Sequence, residues 1–229
     1  MIRPCEDWRA LAGGLRTYGA FGVKAACTLA AYGGPAPFLQ AFETEGGAAL
    51  VFEGELILCG DTEELRQFAV LCPGVHTVLC EERTAALLPF PTARTGVVMM
   101  AQGGGEGFPA PPQLDSLYGM ITELFGISDP DKALYVDLSH RLRHDASSAL
   151  CRDGGCAVVH HGPAGSLLTA MGVLEHLRRR GVGGSLAAEA LRRTAGPLWL
   201  FCADERARRL YGRCGWKEQG RYALLTRKD

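Results

Sequence analysis

The sequence predicts a mixed α/β fold, and three observations predict it. Short apolar runs of strand length recur between glycine, proline and acidic residues. Longer segments between them carry apolar residues at helical spacing. The order of three strands, helix, strand, helix occurs twice along the chain.

The opening residues, Met1-Ile-Arg-Pro-Cys-Glu-Asp-Trp8, lack an apolar core of signal-peptide length. The longest uncharged run, 25–42, is interrupted by Gly33-Gly-Pro-Ala-Pro37 and cannot be a membrane helix. Residues 38–42, 48–52 and 55–59 read as three short strands, 62–71 as a helix, 75–80 as a strand and 81–88 as a second helix. Residues 102–112, Gln-Gly-Gly-Gly-Glu-Gly-Phe-Pro-Ala-Pro-Pro, form the clear linker. Beyond it, 114–125 reads as a helix, and 146–151, 156–160 and 167–173 as strands.

The next segment, Arg178-Arg-Arg-Gly-Val-Gly183 followed by Gly184, opens a helix over 185–193. Strand, glycine-rich turn and helix in that order aim unpaired N–H groups and a positive dipole end at one point. Such a point binds phosphate, because glycine lets the backbone approach an anion and arginine supplies forked donors. The spacing is neither that of the nucleoside-triphosphate loop nor that of the dinucleotide fingerprint. Pro197–Cys202 is a buried strand, and Asp204 caps a helix over 205–214. There Ala207, Leu210, Tyr211 and Cys214 share one face. Gly215-Trp216 ends that helix, and 222–225 is a last strand.

Composition narrows the function. The 229 residues are 47% hydrophobic and 21% charged with formal net charge −1, which makes no case for a nucleic-acid or membrane partner. Arginines and lysines gather at 178–180, 192–193 and 206–213, a pattern that suits one anionic ligand rather than a polyanion. Nine cysteines at irregular spacing, with no Cys-x-x-Cys pair, suggest reduced thiols in a cytoplasmic protein and no metal site.

The stretches Val173…Arg178-Arg-Arg-Gly181-Val-Gly183 and Asp204-x-x-Ala207-x-x-Leu210-Tyr211-x-x-Cys214-Gly215-Trp216 resemble the two signatures of the GNAT superfamily of acyl-CoA-dependent N-acyltransferases. The resemblance covers about residues 146–225. It implies acetyl-CoA as donor and a small-molecule or peptide amine as acceptor. Met171, Gly172 and Val173 would pair with the pantetheine arm. Arg178, Arg179, Arg180, Gly181, Val182, Gly183 and Gly184 would cradle the pyrophosphate, and Tyr211 would protonate the leaving thiolate. Asp204 stands where the family usually carries Asn, which puts the cofactor contact there in question.

A phenol is protonated at neutral pH and can serve as the acid, and a backbone N–H can polarise the thioester carbonyl. Direct attack in a ternary complex is expected. Cys202 and Cys214, the rival nucleophiles, occupy apolar positions and read as small core residues. Candidates for the base are Glu175, His161 in a strand-to-strand connection, and the cluster 137–144. That cluster, with His140 and Arg141, reads either as an exposed helical face or as an acceptor pocket suited to a carboxylate.

The halves align when Cys80 is set on Cys202, an offset of 122 residues that also sets Ala85 on Ala207. Cys59-Gly60-Asp61 then stands at the loop position without an arginine, and Pro89 at Tyr211. Residues 1–101 therefore read as a degenerate copy, 102–112 as the linker and 113–229 as the catalytic domain. The alternative to an enzyme is a non-catalytic CoA-binding or regulatory module.

Overall fold

A computed structural model describes residues 1–227. The chain runs β1 (Arg3–Pro4), α1 (Trp8–Gly14), α2 (Gly19–Tyr32), β2 (Leu39–Thr44), β3 (Gly47–Phe52), β4 (Glu55–Cys59), α3 (Glu63–Leu71), β5 (Thr77–Glu81), α4 (Glu82–Ala85) and β6 (Thr92–Gln102). It continues through α5 (Leu114–Phe125), α6 (Ala133–Arg143), β7 (Ser147–Arg152), β8 (Gly155–Gly162), β9 (Gly165–Val173), α7 (Val182–Arg193), β10 (Pro197–Cys202), α8 (Glu205–Arg213) and β11 (Lys217–Thr226). Side-chain caps start several helices. Thr62 accepts from Leu65 N–H at 3.2 Å and Asp204 from Ala207 N–H at 2.7 Å.

All strands join one eleven-stranded sheet in the order β1-β2-β3-β4-β5-β11-β6-β10-β9-β8-β7. The pairs β4/β5 and β9/β10 are parallel, and the other neighbours are antiparallel. Each half thus builds an antiparallel meander followed by one parallel strand. The last strands are exchanged: β11 lies against β5, and β6 lies against β10.

The repeat is present, but no single offset describes it. β3 starts at Gly47 and β8 at Gly155, 108 residues later, whereas β5 and β10 start at Thr77 and Pro197, 120 apart. Part of the difference lies between β4 and α3 on one side and β9 and α7 on the other, and most of the rest in the greater length of β8 and β9. Residues 60–62 fill the first gap and 174–181 the second. The longer gap carries the basic segment that leads into α7.

Helices cover both faces of the sheet. α2 packs its Ala25, Ala26 and Leu29 against Leu39, Leu50 and Leu167. On the opposite face Leu186 and Ala190 of α7 meet Leu198, Leu200, Tyr211 and Trp216. α5 and α6 cover Ala149 and Val158 through Leu117, Ile121 and Leu138. No helix among the described residues is long and apolar enough to cross a membrane.

Several elements depart from the sequence reading. α1 and α2 occupy a region for which only an interrupted apolar run was expected. Ten of the fourteen residues of α2 are buried, so it lacks the polar stripe that marks a surface helix. The helix expected over 81–88 is a single turn, Glu82–Ala85. His161 lies within β8 rather than in a connection. The glycine-rich segment after Gln102 is strapped to the end of α7, where the N–H groups of Gly104, Gly105, Glu106 and Gly107 donate to Leu191, Thr194, Arg192 and Arg193.

Candidate functional site

β9 and β10 begin as hydrogen-bonded neighbours and then part. They pair only at Ser166↔Leu198 and Leu167↔Trp199. Beyond those positions β9 stays with β8 as far as Val173, and β10 stays with β6 as far as Cys202. A notch therefore opens between Leu168–Val173 and Leu200–Cys202, and the edge of β9 facing it has no strand partner.

A bulge shapes this edge. The β8/β9 register slips by one residue between Val158↔Thr169 and Cys156↔Gly172. Ala170 takes up the slip with φ +41°, a left-handed conformation that costs a non-glycine residue energy. Cys156 Sγ donates to the Ala170 carbonyl at 3.4 Å.

The basic loop leads from the top of β9 to α7. Gly181, at φ +85°, is the N-cap residue and offers no side-chain cap. The first intrahelical bond runs from Ser185 N–H to the Gly181 carbonyl. The N–H groups of Val182, Gly183 and Gly184 precede that bond and point out of the helix end. A Cβ at Gly184 would meet no atom within 4 Å, so the backbone there faces open space. A Cβ at Gly183 would touch Leu210 at 3.4 Å, which seats the turn on α8.

Charge around this helix end is positive. Arg178 bends back so that its Nε donates to the Val173 carbonyl at 3.0 Å. Arg179 and Arg180 are exposed and make no ion pair among the described residues. A fourth arginine joins them. Arg152, at the end of β7, donates to Ser185 Oγ at 3.2 Å and pairs with Glu189 at 2.6 Å. Nothing local in the sequence marks Arg152, because β7 reaches α7 only through the sheet.

The first half shows the contrast. α3 is capped by Thr62, with Glu63 and Glu64 in its first turn and Asp61 just before the cap, and Asp61 and Glu63 pair with Arg66. That helix end has its own acids and repels an anion.

Tyr211 lies on the inner face of α8, 8% exposed. Its hydroxyl donates to Met171 Sδ at 3.6 Å, and its ring meets Trp216 edge-on with centroids 5.5 Å apart. Burial, reinforced by the neighbouring Cys202 and Cys214, pushes the phenol above its usual range, so it holds its proton at any physiological pH. A thioether is a weak acceptor, which leaves the O–H available to a better sulfur partner. Asp204 commits its Oδ1 to the α8 cap. Cys202 is buried and Cys214 half-buried, and burial raises both thiols.

Met171, Gly172, Val173, the loop 178–184 and Tyr211 thus converge on the notch. The α5 end walls its β9 side, since a Cβ at Gly172 would sit 3.2 Å from Leu124 and 3.4 Å from Phe125. Glu175 is exposed in the turn between β9 and the loop.

His140 and Arg141 lie elsewhere. Both are on α6, packed against the end of α2. His140 Nε2 bonds the Ala31 carbonyl at 2.8 Å and stacks on Tyr32. Arg141, 3% exposed, pairs with Asp137 at 2.7 Å, lies over Tyr32 and Phe52, and leaves Nη1 buried without a partner among the described residues. His161 bonds Ser148 and Ser166, at the closed end of the β9/β10 pair.

No protein-family model matches the chain, and no curated protein sequence does. Solved structures do. A GCN5-related N-acetyltransferase from Sphaerobacter thermophilus is 18% identical with a TM-score of 0.59, over 99% of this chain and 95% of that one. One from Kribbella flavida is 13% identical at TM-score 0.57, over 92% and 96%. A tandem GNAT protein from the clavulanic acid biosynthesis pathway is 12% identical at TM-score 0.55, over 99% and 98%. Over its whole length the chain has the GNAT acyltransferase fold.

Proposed function

We propose that the chain is an N-acyltransferase that moves an acetyl group from acetyl-CoA to the primary amine of a small molecule or peptide. One observation carries this reading. An uncapped, arginine-flanked helix end and a buried protonated phenol meet at the same opening between parallel strands. A diphosphate fits the helix end, where three N–H groups and an open Gly184 form a cradle that even a Cβ would begin to fill. An extended amide-bearing arm fits the free edge of β9.

The thioester of the donor supplies an activated carbonyl and a sulfur leaving group. The chain's own residues do the rest. The Met171–Val173 backbone positions the arm and offers N–H groups to the carbonyl oxygen. Tyr211, whose hydroxyl donates to the Met171 thioether in the free chain, would hold the proton that the leaving thiolate takes up as the C–S bond breaks. Leu124 and the solvent-exposed Phe125 give the notch an apolar wall beside Gly172. Glu175, the exposed carboxylate between β9 and the cradle, is one of the candidates to accept the amine's proton. Asp204 contributes through the start of α8 and hence the setting of Tyr211.

Purified protein is tested for coenzyme A binding by calorimetry and for thiol release from acetyl-CoA with pooled amines and peptides. Expected are one binding event per chain and amine-dependent release. In Tyr211→Phe, release falls about 10²–10⁴-fold while binding stays within a few-fold. Absence of coenzyme A binding overturns the reading. Binding without release for any acceptor favours a non-catalytic coenzyme-binding module instead.

A further inference from the structure

The hairpin that joins β7 to β8 carries a pair of cysteines that the acyl-transfer reading does not use. Its turn is Asp153-Gly154, with φ +43° and +72°, the two-residue turn with both central residues left-handed. Arg152↔Gly155 closes the turn, and Cys151↔Cys156 is the next pair along the ladder. In a two-residue hairpin the closing pair exchanges hydrogen bonds and the next one does not. Cys151 and Cys156 therefore occupy a non-hydrogen-bonded position, where Cα atoms stand about 4.5 Å apart and side chains leave the same face. That separation lies inside the range of roughly 4.4–6.8 Å spanned by disulfides.

The two sulfurs differ in access. Cys151 is exposed, whereas Cys156 is fully buried beneath α5 and α6. Cys156 is also the residue whose thiol donates to the carbonyl of Ala170 at 3.4 Å, the residue that takes up the bulge in β9. One position of the pair meets an oxidant in solvent, and the other touches the strained residue beside the notch.

We propose that Cys151 and Cys156 form a reversible cross-strand disulfide in the presence of a peroxide, and that closing it releases the thiol contact that holds the Ala170 bulge. The Cys151 thiolate attacks a peroxide oxygen, the O–O bond breaks, and Cys151 becomes a sulfenic acid as hydroxide leaves. The Cys156 sulfur then attacks the Cys151 sulfur, the S–O bond breaks, and the Cys156 proton leaves with the departing oxygen as water. Two thiols are oxidised by two electrons, and the peroxide is reduced to two waters. The disulfide has no S–H to offer Ala170. Burial raises the Cys151 thiol as well, so attack proceeds through its minor thiolate fraction at the exposed position, while burial, and after it the neighbouring Cys151, pushes the Cys156 thiol up to about 12 and keeps it protonated until Cys151 has reacted. A disulfide closed across so short a loop and open to solvent on one side is of the readily reduced kind.

The test uses the full chain with hydrogen peroxide and needs no coenzyme. Trypsin cuts after Arg152, between the two cysteines, so a linked pair appears as two peptides joined by sulfur. Expected are that linked species, an intact mass lower by about 2 Da that dithiothreitol restores, and faster amide exchange across Ala170–Val173 after oxidation. Cys151→Ser, at an exposed position, keeps the fold and abolishes the link, the mass loss at this pair and the peroxide effect on β9. Cys156→Ala gives faster β9 exchange without any oxidant. The proposal fails if Cys151 over-oxidises while Cys156 remains a thiol. It also fails if the pair links and exchange across 170–173 does not move.

Discussion

A Cβ placed on Gly184 would meet nothing within 4 Å, yet that emptiness lies at the end of a helix whose N–H groups have no cap. Under the proposed function, stability and ligand binding pull this position in opposite directions. A carboxylate in the first turn of a helix favours folding by about 0.3–1 kcal/mol. The same carboxylate would occupy the space and charge that a diphosphate needs. Gly184→Asp is expected to unfold at an equal or higher temperature and to bind coenzyme A at least tenfold more weakly, read by thermal unfolding and calorimetry on one sample. Arg141 poses the reverse case. Its guanidinium is buried against Asp137 and two aromatic rings, and removing it strands a half-enclosed carboxylate. Arg141→Ala is expected to cost about 3–5 kcal/mol in urea unfolding. A change confined to acceptor KM, with unaltered stability, would restore Arg141 to an acceptor pocket.

The strap that follows β6 shows how an element can hide in a composition. Its glycines look like linker residues, but Gly103 and Gly104 are demanded by close approach. A Cβ at Gly103 would lie 2.1 Å from the Thr194 carbonyl oxygen, and one at Gly104 2.7 Å from that of Arg192. The strap's N–H groups satisfy carbonyls at the α7 end that a helix otherwise leaves to water. Gly103→Ala is expected to cost about 1–3 kcal/mol by pushing the strap off α7, read as a lowered thermal midpoint with a new protease-sensitive site near 103–107. The same contrast explains what was readable beforehand. α3, α7 and α8 each have one apolar face, and the loop 178–184 is contiguous, so helices and cradle both leave a local pattern. α2 is enclosed on nearly every side and leaves no period to detect. Arg152, Leu124 and Phe125 reach the notch and the start of α7 through strand pairing and helix packing from distant segments, and local spacing carries no trace of them. The paired Cys151 and Cys156 look irregular as numbers and become neighbours only once a turn is set at Asp153-Gly154.

At the scale of the whole molecule, the exchange of β6 and β11 ties the halves together more closely than a linker would. β6 supplies the neighbour of β10 along Val97–Gln102, and β11 supplies the neighbour of β5 along Tyr222–Thr226. Without β6, the strand that forms one wall of the notch becomes a free edge. Without β11, β5 does the same. α2 adds a third tie, since it belongs to the first half and buries Cys27 against the carbonyls of His160 and Gly165 in the second. The first half, whose α3 is capped and acidic at its start, completes the sheet on which the proposed site is built. Two fragments, 1–112 and 113–229, are expected to lack cooperative unfolding when made separately and to regain it on co-expression. In the intact chain, denaturant curves from far-UV circular dichroism and tryptophan fluorescence are expected to coincide. Trp8 reports the α2 core, Trp216 the α7–α8 core, and Trp199 the parallel pair between them. Two separated transitions, or a 113–229 fragment that folds and binds coenzyme A unaided, would show that the exchanged strands join two independent folding units.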